Sequence, residues 1–169
     1  MSYTIRTIEK RDNLAVEAVI RTCLIEFGAD HEGTAWGDPY LNRFSEVYSS
    51  EGNQYWVVED EAGRIVGGVG IGTLNGAEDQ KICELQKMYC LPEVRGTGVA
   101  QMLMDAALDY AKHFYQAVYL ETMENMIAAK RFYTKYGFSG IDYRIGNTGH
   151  PGCNVCYMKR IYGDDVNNK

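Results

Sequence analysis

The chain has 169 residues, 46% of them hydrophobic, which suffices for one domain with a single substantial core but not for two comfortable ones. Its formal net charge is −6 and no long run of Lys or Arg occurs, which argues against a nucleic-acid partner and favours an amine-bearing one. A charged N-terminus and the lack of a long apolar run argue against export and against a membrane span, and five cysteines without a regular framework indicate reduced thiols in the cytoplasm.

The first half of the chain is predicted to hold a strand, two helices and an antiparallel meander. Asp12 or Asn13 caps the first helix and Gly28 ends it. Alternation and turn formers place these elements at residues 3–8 (strand), 12–28 (helix), 40–48 (short helix), and 54–59, 64–74 and 81–90 (strands). Four glycines in strand 64–74 predict either a bulge or a face that another group approaches closely.

The stretch from Glu84 to Phe114 is the most informative part of the sequence. A strand leads into the glycine loop Arg95-Gly96-Thr97-Gly98-Val99-Ala100 and then into a long helix with apolar residues at Val99, Met102, Leu103, Ala106, Tyr110, Ala111 and Phe114. The loop leaves the first N–H groups of the helix free, an arrangement that binds anions. A Walker loop is excluded because Val99 and Ala100 stand where Lys and Ser or Thr are required, and a dinucleotide fingerprint is excluded because Gln101 replaces its third glycine.

The C-terminal part is predicted to alternate between strands and one further helix. The predicted elements are a strand at 117–122, a helix at 125–136 ended by Gly137, a strand from Phe138, and two further strands within 143–161. Cys153 and Cys156 form a CxxC near His150, which suggests zinc or redox chemistry. Because residues three apart in a strand diverge, we favour free thiols without a metal.

Two segments resemble the GNAT superfamily of N-acetyltransferases. The glycine loop is similar to motif A, whose Arg or Gln, Gly, and Gly or Ala positions are filled by Arg95, Gly98 and Ala100. Residues 121–138 are similar to motif B, with Ala129, Tyr133, Gly137 and Phe138 in register, whereas Met126 stands where that pattern has Asn and Asn125 lies one residue early. The motifs and the strand between them cover about a third of the chain.

The resemblance implies a single domain of GNAT fold over residues 1–162, of class α/β (α+β), with a mixed, largely antiparallel central sheet flanked by helices, followed by a polar tail at 163–169. It implies acetyl-CoA as co-substrate, with its pantetheine arm between two splayed strands, at residues 88–90 and 120–122. The implied binding residues are Met88, Tyr89, Cys90, Arg95, Gly96, Thr97, Gly98, Val99, Ala100, Ala129 and Tyr133.

The resemblance also implies acetyl transfer to a primary amine of a small molecule or peptide, by direct attack in a ternary complex. Tyr133 would donate a proton to the departing thiolate, and the alternative is a core aromatic such as Tyr136. Glu84 would accept the ammonium proton if its strand face looks into the cleft; otherwise it faces solvent. By period two, that face includes Gln86, Met88 and Cys90.

A second hypothesis is a non-catalytic acyl-CoA sensor or assembly module. The glycine loop serves both hypotheses equally, but only an enzyme needs a proton donor such as Tyr133 at the sulfur. A homodimer through the C-terminal strands is implied by analogy. Residues 28–48 and 143–153 are expected to select the acceptor, and the acidic balance favours a cationic one.

Overall fold

The computed structural model describes residues 1–161, and a seven-stranded sheet is the central element of this part. Its strands are β1 Thr4–Thr7, β2 Gln54–Glu59, β3 Ile65–Thr73, β4 Ile82–Cys90, β5 Ala117–Thr122, β6 Ser139–Ile141 and β7 Val155–Arg160, in the spatial order β1-β2-β3-β4-β5-β7-β6. All neighbours are antiparallel except β4 and β5, which are parallel. The predicted mixed, largely antiparallel sheet is confirmed, whereas the predicted tail at 163–169 lies outside the described residues.

Helices cover both faces of the sheet. They are α1 Asn13–Glu26, α2 Phe44–Val47, α3 Val99–Ala111 and α4 Ile127–Lys135, and α2 is shorter than predicted. Buried side chains of α1 and α2 form one apolar cluster with the sheet, and those of α3 and α4 form another on the opposite face. In the described part of the chain, no helix has both the length and the apolar character needed to cross a bilayer.

The glycines of β3 lie under two tyrosine rings. A Cβ atom at Gly70 would come within 2.7 Å of the Tyr48 ring, and one at Gly68 within 2.6 Å of the Tyr55 ring. The Tyr48 hydroxyl donates a hydrogen bond of 2.7 Å to Gln86 Oε1 on β4. The predicted close approach to the glycine-rich strand is therefore confirmed, and both tyrosine rings pack directly on β3 because its glycines have no side chains.

A β-bulge in β4 changes which of its side chains share a face. Two of its residues, Lys87 and Met88, lie opposite a single residue of β3, and Lys87 has a left-handed φ of 49°. Met88 and Cys90 pack on the α3 side, whereas Tyr89 packs on the α1 side. The prediction that Met88 and Cys90 share a face with Glu84 is wrong, because the extra residue shifts the alternation by one.

Helix α3 is shorter than predicted and buries a different face. It ends at Ala111 rather than Phe114, because the chain tightens there into the bonds His113 N–H to Tyr110 O and Phe114 N–H to Ala111 O. The buried positions are Val99, Leu103, Met104, Ala107, Leu108 and Ala111. The apolar residues Met102, Ala106 and Tyr110 lie at the edge of this face and are only partly buried.

Only one strand, β7, forms within residues 143–161, where two were predicted. Its partner β6 lies earlier, directly after α4. The main chain of the loop between them pairs with the main chain of other loops, as in the 2.8 Å bond from Gly152 N–H to Gly33 O. Within the loop, Arg144 donates to the carbonyls of Pro151 and Cys153.

Candidate active site

The glycine loop presents an open helix end. Gly96 and Gly98 have left-handed φ values of 77° and 96°, and a Cβ atom on either would meet no atom within 4 Å. Conformation rather than crowding therefore requires glycine here, and the space above the loop is free. The first bond of α3 runs from Met102 N–H to Gly98 O (3.1 Å), so the preceding N–H groups point out of the helix end. This arrangement suits an anion.

Arg95, at the start of this loop, is held by the C-terminal end of α1. Its guanidinium donates two hydrogen bonds of 2.7 Å to the carboxylate of Glu26, and its Nε–H donates to Cys90 O at 3.1 Å. The guanidinium also lies 5.2 Å from the centre of the Phe27 ring. The hydrogen bonds from Arg95 lower the pKa of Glu26. Sequence analysis missed Glu26, because a pair 69 residues apart leaves no local signal.

A cleft opens where β4 and β5 separate. The two strands pair only over Ile82–Glu84 and Ala117–Tyr119, and then diverge. The cleft beyond, with a volume of about 300 Å³, is lined mainly by the end of β4, the glycine loop and α4. Its walls include most of the predicted binding residues: Met88, Tyr89, Cys90, Arg95, Gly96, Ala100, Ala129 and Tyr133. The predicted residues 120–122 of β5 line a second, smaller cavity instead.

Two predicted binding residues turn their side chains away from this cleft. The Thr97 hydroxyl donates a hydrogen bond to the carbonyl of Val94. The Val99 side chain is fully buried in the core on the α3 side. Any contact from these two positions to a molecule in the cleft would therefore come from their main-chain atoms.

A smaller cavity of about 70 Å³ adjoins the cleft. Both cavities are lined by Phe27, Met88, Tyr89, Met126 and Tyr133, so the two spaces share a wall. The smaller one is further lined by Glu84, Gln86, Lys87, Glu121, Thr122, His150 and Cys153. Both predicted catalytic residues, Glu84 and Tyr133, thus line the same cavity.

Glu84 is a buried carboxyl group, with only 8% of its surface exposed. Burial raises its pKa to about 7, although Lys87, Gln86 and His150 each act to lower it. The alternative that Glu84 faces solvent is therefore wrong. A carboxyl group with this pKa exchanges its proton close to neutral pH.

Tyr133 is also 8% exposed and lies at the junction of the two spaces. Its ring lies about 6 Å from those of Phe132, Phe138 and Tyr157. Burial raises the pKa of its phenol, which therefore keeps its proton at neutral pH. Tyr136, its neighbour on α4, instead donates a 3.0 Å hydrogen bond to Asp105 and lines neither cavity.

Comparison with known proteins assigns the chain to a family. The sequence profile of the Acetyltransferase (GNAT) family matches residues 20–138, more than half of the chain. The chain belongs to this family. This chain is 41% identical to YjgM, an uncharacterized N-acetyltransferase of Escherichia coli K12. The alignment spans 162 residues, which cover 95% of this chain and 96% of the relative. The chain is therefore an acetyl-CoA-dependent acyltransferase.

Solved structures agree with the fold of this acetyltransferase. A GNAT acetyltransferase from Staphylococcus aureus Mu50 superposes with a TM-score of 0.85 at 22% identity, over 95% of this chain and 100% of the other. A phosphinothricin acetyltransferase from Sinorhizobium meliloti, in complex with AcCoA, has a TM-score of 0.74 at 15% identity, over 100% of this chain and 93% of the other. These matches confirm the predicted GNAT fold.

The acetyltransferase carries further polar residues around the smaller cavity, of which sequence analysis missed Glu121 and Lys87. The carboxylate of Glu121 accepts hydrogen bonds from Thr148 (2.6 Å), Arg144 (3.2 Å) and Tyr119 (2.5 Å). Lys87 reaches the cavity only because of the bulge in β4, and no sequence pattern marks that bulge at Lys87 itself. His150, within the segment 143–153 that was expected to select the acceptor, lines the cavity with Glu121.

The two cysteines of the CxxC sequence, Cys153 and Cys156, lie in different surroundings. Cys153 lines the smaller cavity, whereas Cys156 is buried with its sulfur 3.3 Å from the Tyr119 hydroxyl. Burial raises the pKa of Cys153 to about 11, so its thiol is protonated at neutral pH. Among residues 1–161, no group of three or more His, Cys, Asp or Glu side chains is arranged to hold a metal ion.

Proposed function

We propose that the enzyme transfers the acetyl group of acetyl-CoA to a primary amine by direct attack in a ternary complex. Family membership supports acetyl transfer from acetyl-CoA. The observation that supports direct attack is the placement of Glu84 and Tyr133, because both buried proton-carrying groups line one narrow cavity beside the larger cleft. One of them can take a proton from the amine, and the other can give one to the leaving sulfur.

The residues present fit acetyl-CoA. The open helix end at Gly98 offers N–H groups to a pyrophosphate, and the diverging strands leave main-chain groups of Met88 to Cys90 beside the cleft. Arg95 would add a positive charge at the same end, once its guanidinium turns from Glu26 to the ligand. When bound, acetyl-CoA would supply the acetyl thioester, and Tyr133 would serve as proton donor to its sulfur.

Glu84 acts as the base in this proposal. Its carboxylate takes a proton from the ammonium form of the acceptor, which frees the nitrogen lone pair to form the C–N bond as the C–S bond breaks. A base with a pKa of about 7 suits this task, because a large fraction is ionised at neutral pH while it still holds a proton well.

Tyr133 acts as the acid. Its raised phenol pKa means that the group is in the protonated form whenever the thiolate leaves, so it can donate its hydrogen to the sulfur. In this proposal Tyr133 stands between the sulfur and the acceptor, and its presence in the walls of both the cleft and the smaller cavity supports that role.

The acceptor is a small amine in this proposal. The smaller cavity, at about 70 Å³, suits a compact group, and two carboxyl groups, Glu84 and Glu121, line it. Lys87 and His150 also line this cavity, so the support for a cationic acceptor comes from the net charge of −6 of the whole chain. The name of the S. meliloti neighbour supports small-molecule amines as acceptors for this fold.

Calorimetry and an activity assay test the proposal together. Acetyl-CoA is first titrated into the purified protein, and release of free thiol is then followed against a panel of polyamines, amino acids and lysine peptides. Binding with amine-dependent thiol release is expected, together with intersecting double-reciprocal plots for direct attack. Parallel plots would contradict the ternary complex. Binding without release from any amine would favour the sensor hypothesis, and no binding would contradict both.

A further inference from the structure

A polar network at one end of the smaller cavity ties three separate segments together. Asp38, in the loop after α1, accepts a 2.7 Å bond from Lys87 Nζ at the bulge of β4. Both of its carboxylate oxygens also lie 2.9 Å from Nε2 of His150, in the loop before β7. The side chains of Lys87 and His150 are only 12% and 13% exposed, and that of Asp38 is 26% exposed.

Asp38 lies behind the cavity wall rather than in it. Lys87 and His150 line the smaller cavity together with Glu84, whereas Asp38 does not line it. An ionised carboxylate that receives two donors at these distances fixes both side chains, because a rotation of either would leave a charged or polar group without its partner.

We propose that Asp38 is a positioning residue for the acetyl transfer: it holds Lys87 and His150 beside Glu84 at the acceptor end of the cavity. The inference rests on the proposed role of Glu84 as the base. Without Asp38, the Lys87 ammonium group is free to turn toward the Glu84 carboxylate and to pair with it. A carboxylate engaged by a lysine is a poorer base.

The charges around Glu84 set the direction of this effect. Burial would raise the pKa of Asp38, but hydrogen bonds from His150 and Lys87 hold it below its usual value, so Asp38 is ionised at neutral pH. Lys87 and His150 act to lower the pKa of Glu84. The titratable and charged groups that face Glu84 or pair with its neighbours are Tyr48 just after α2, Lys87 on β4, Glu121 on β5, and Asp38, Arg144, His150 and Cys153 in the loops.

Substitutions of Asp38 and of Lys87 should therefore shift the titration midpoint of Glu84 in opposite directions. Asp38→Asn keeps the shape but leaves the Lys87 charge uncompensated, so the titration midpoint of Glu84 should fall by roughly half to one pH unit. Lys87→Met removes that charge, and the midpoint should rise by a similar amount. The double variant removes both charges and should lie between the two single variants.

Carbon-13 NMR measures these midpoints without any acceptor. Protein labelled at the glutamate carboxyl carbon is titrated between pH 4 and pH 9, and the Glu84 signal is assigned by its loss in Glu84→Gln. Asp109→Asn is the matched control, because Asp109 is 77% exposed on α3 and pairs only with Lys112 among the described residues. The titration midpoint of Glu84 in the Asp109→Asn variant should equal that of the wild type.

Opposite shifts in the single variants, with partial cancellation in the double variant, would support the proposal. An unchanged midpoint in a folded Asp38→Asn protein, or shifts in one direction for both single variants, would overturn it. If Asp38→Asn does not fold, Lys87→Met alone decides, since an unchanged midpoint there also overturns the proposal. Failure of the proposed function would appear separately, as undiminished thiol release by Glu84→Gln.

Discussion

Burial of Glu84 should make the stability of the protein depend on pH in a way that a single substitution removes. Its pKa rises from 4.5 to about 7 on folding. Below pH 4.5 both the folded and the unfolded chain hold the proton, so burial of the ionised form costs nothing. Between the two pKa values the unfolded chain releases the proton while the folded chain keeps it, so the free energy of unfolding falls by about 1.4 kcal/mol per pH unit.

Glu84→Gln has no charge to bury and should escape this loss. Its free energy of unfolding should exceed that of the wild type by roughly 1 kcal/mol at pH 5 and by roughly 3 kcal/mol at pH 8. This gain in stability should therefore differ by about 2.5 kcal/mol between the two pH values. Any difference in packing between Gln and Glu is the same at both pH values and cancels. The gain is full above pH 7 and vanishes below pH 4.5.

Urea unfolding at pH 5 and pH 8, followed by circular dichroism, measures this difference. With an m-value of about 2 kcal/mol/M, the gain in urea midpoint should be roughly 1 M larger at pH 8. Glu46→Gln is the control, because Glu46 is 56% exposed and should show little such dependence. A gain for Glu84→Gln that is equal at the two pH values would refute the argument that Glu84 is buried with a raised pKa.

Three further substitutions test the remaining parts of the site. Tyr133→Phe should lower kcat by roughly 100-fold with little change in the calorimetric Kd for acetyl-CoA, whereas Tyr136→Phe should keep wild-type turnover; a fully active Tyr133→Phe would leave Tyr133 with a packing role only. Gly98→Val should weaken acetyl-CoA binding at least tenfold, because a β-branched residue disfavours a φ of 96°; unchanged affinity would exclude the loop as the binding site. Glu26→Gln should free Arg95 and tighten acetyl-CoA binding severalfold at low salt, with a smaller gain at high salt; weaker binding would show that Glu26 instead holds Arg95 ready for the ligand.

The parts of the fold that the sequence predicted are those with local signals. The glycine loop, the helix that follows it and the strands of the meander lie close to their predicted positions, because turn residues and periodicity act over a few residues. The placement of Tyr133 beside the cleft followed from the resemblance of residues 121–138 to motif B of the family. The predicted end of α3 was wrong, because tertiary contacts rather than helix propensity decide where the last turn of a helix tightens.

The polar surroundings of the site could not be predicted in the same way. Asp38, Lys87 and His150 come from three distant segments, and no local pattern in the sequence indicates that their side chains meet. The bulge at Lys87 shifts the alternation of β4, so an argument from period two failed for Met88 and Cys90. Glu84 was placed correctly only because it precedes that bulge.

The glycines of β3 influence the proposed base through a side chain that packs on them, on the same face of the sheet as Glu84. Gly70 leaves room for the Tyr48 ring, whose hydroxyl holds Gln86, and Gln86 in turn acts on the pKa of Glu84. Even the methyl group of Gly70→Ala would overlap the ring and displace this chain of contacts. The basicity of Glu84 is thus set in part by a residue with no side chain, and a search for activity mutants that ignores glycines would miss it.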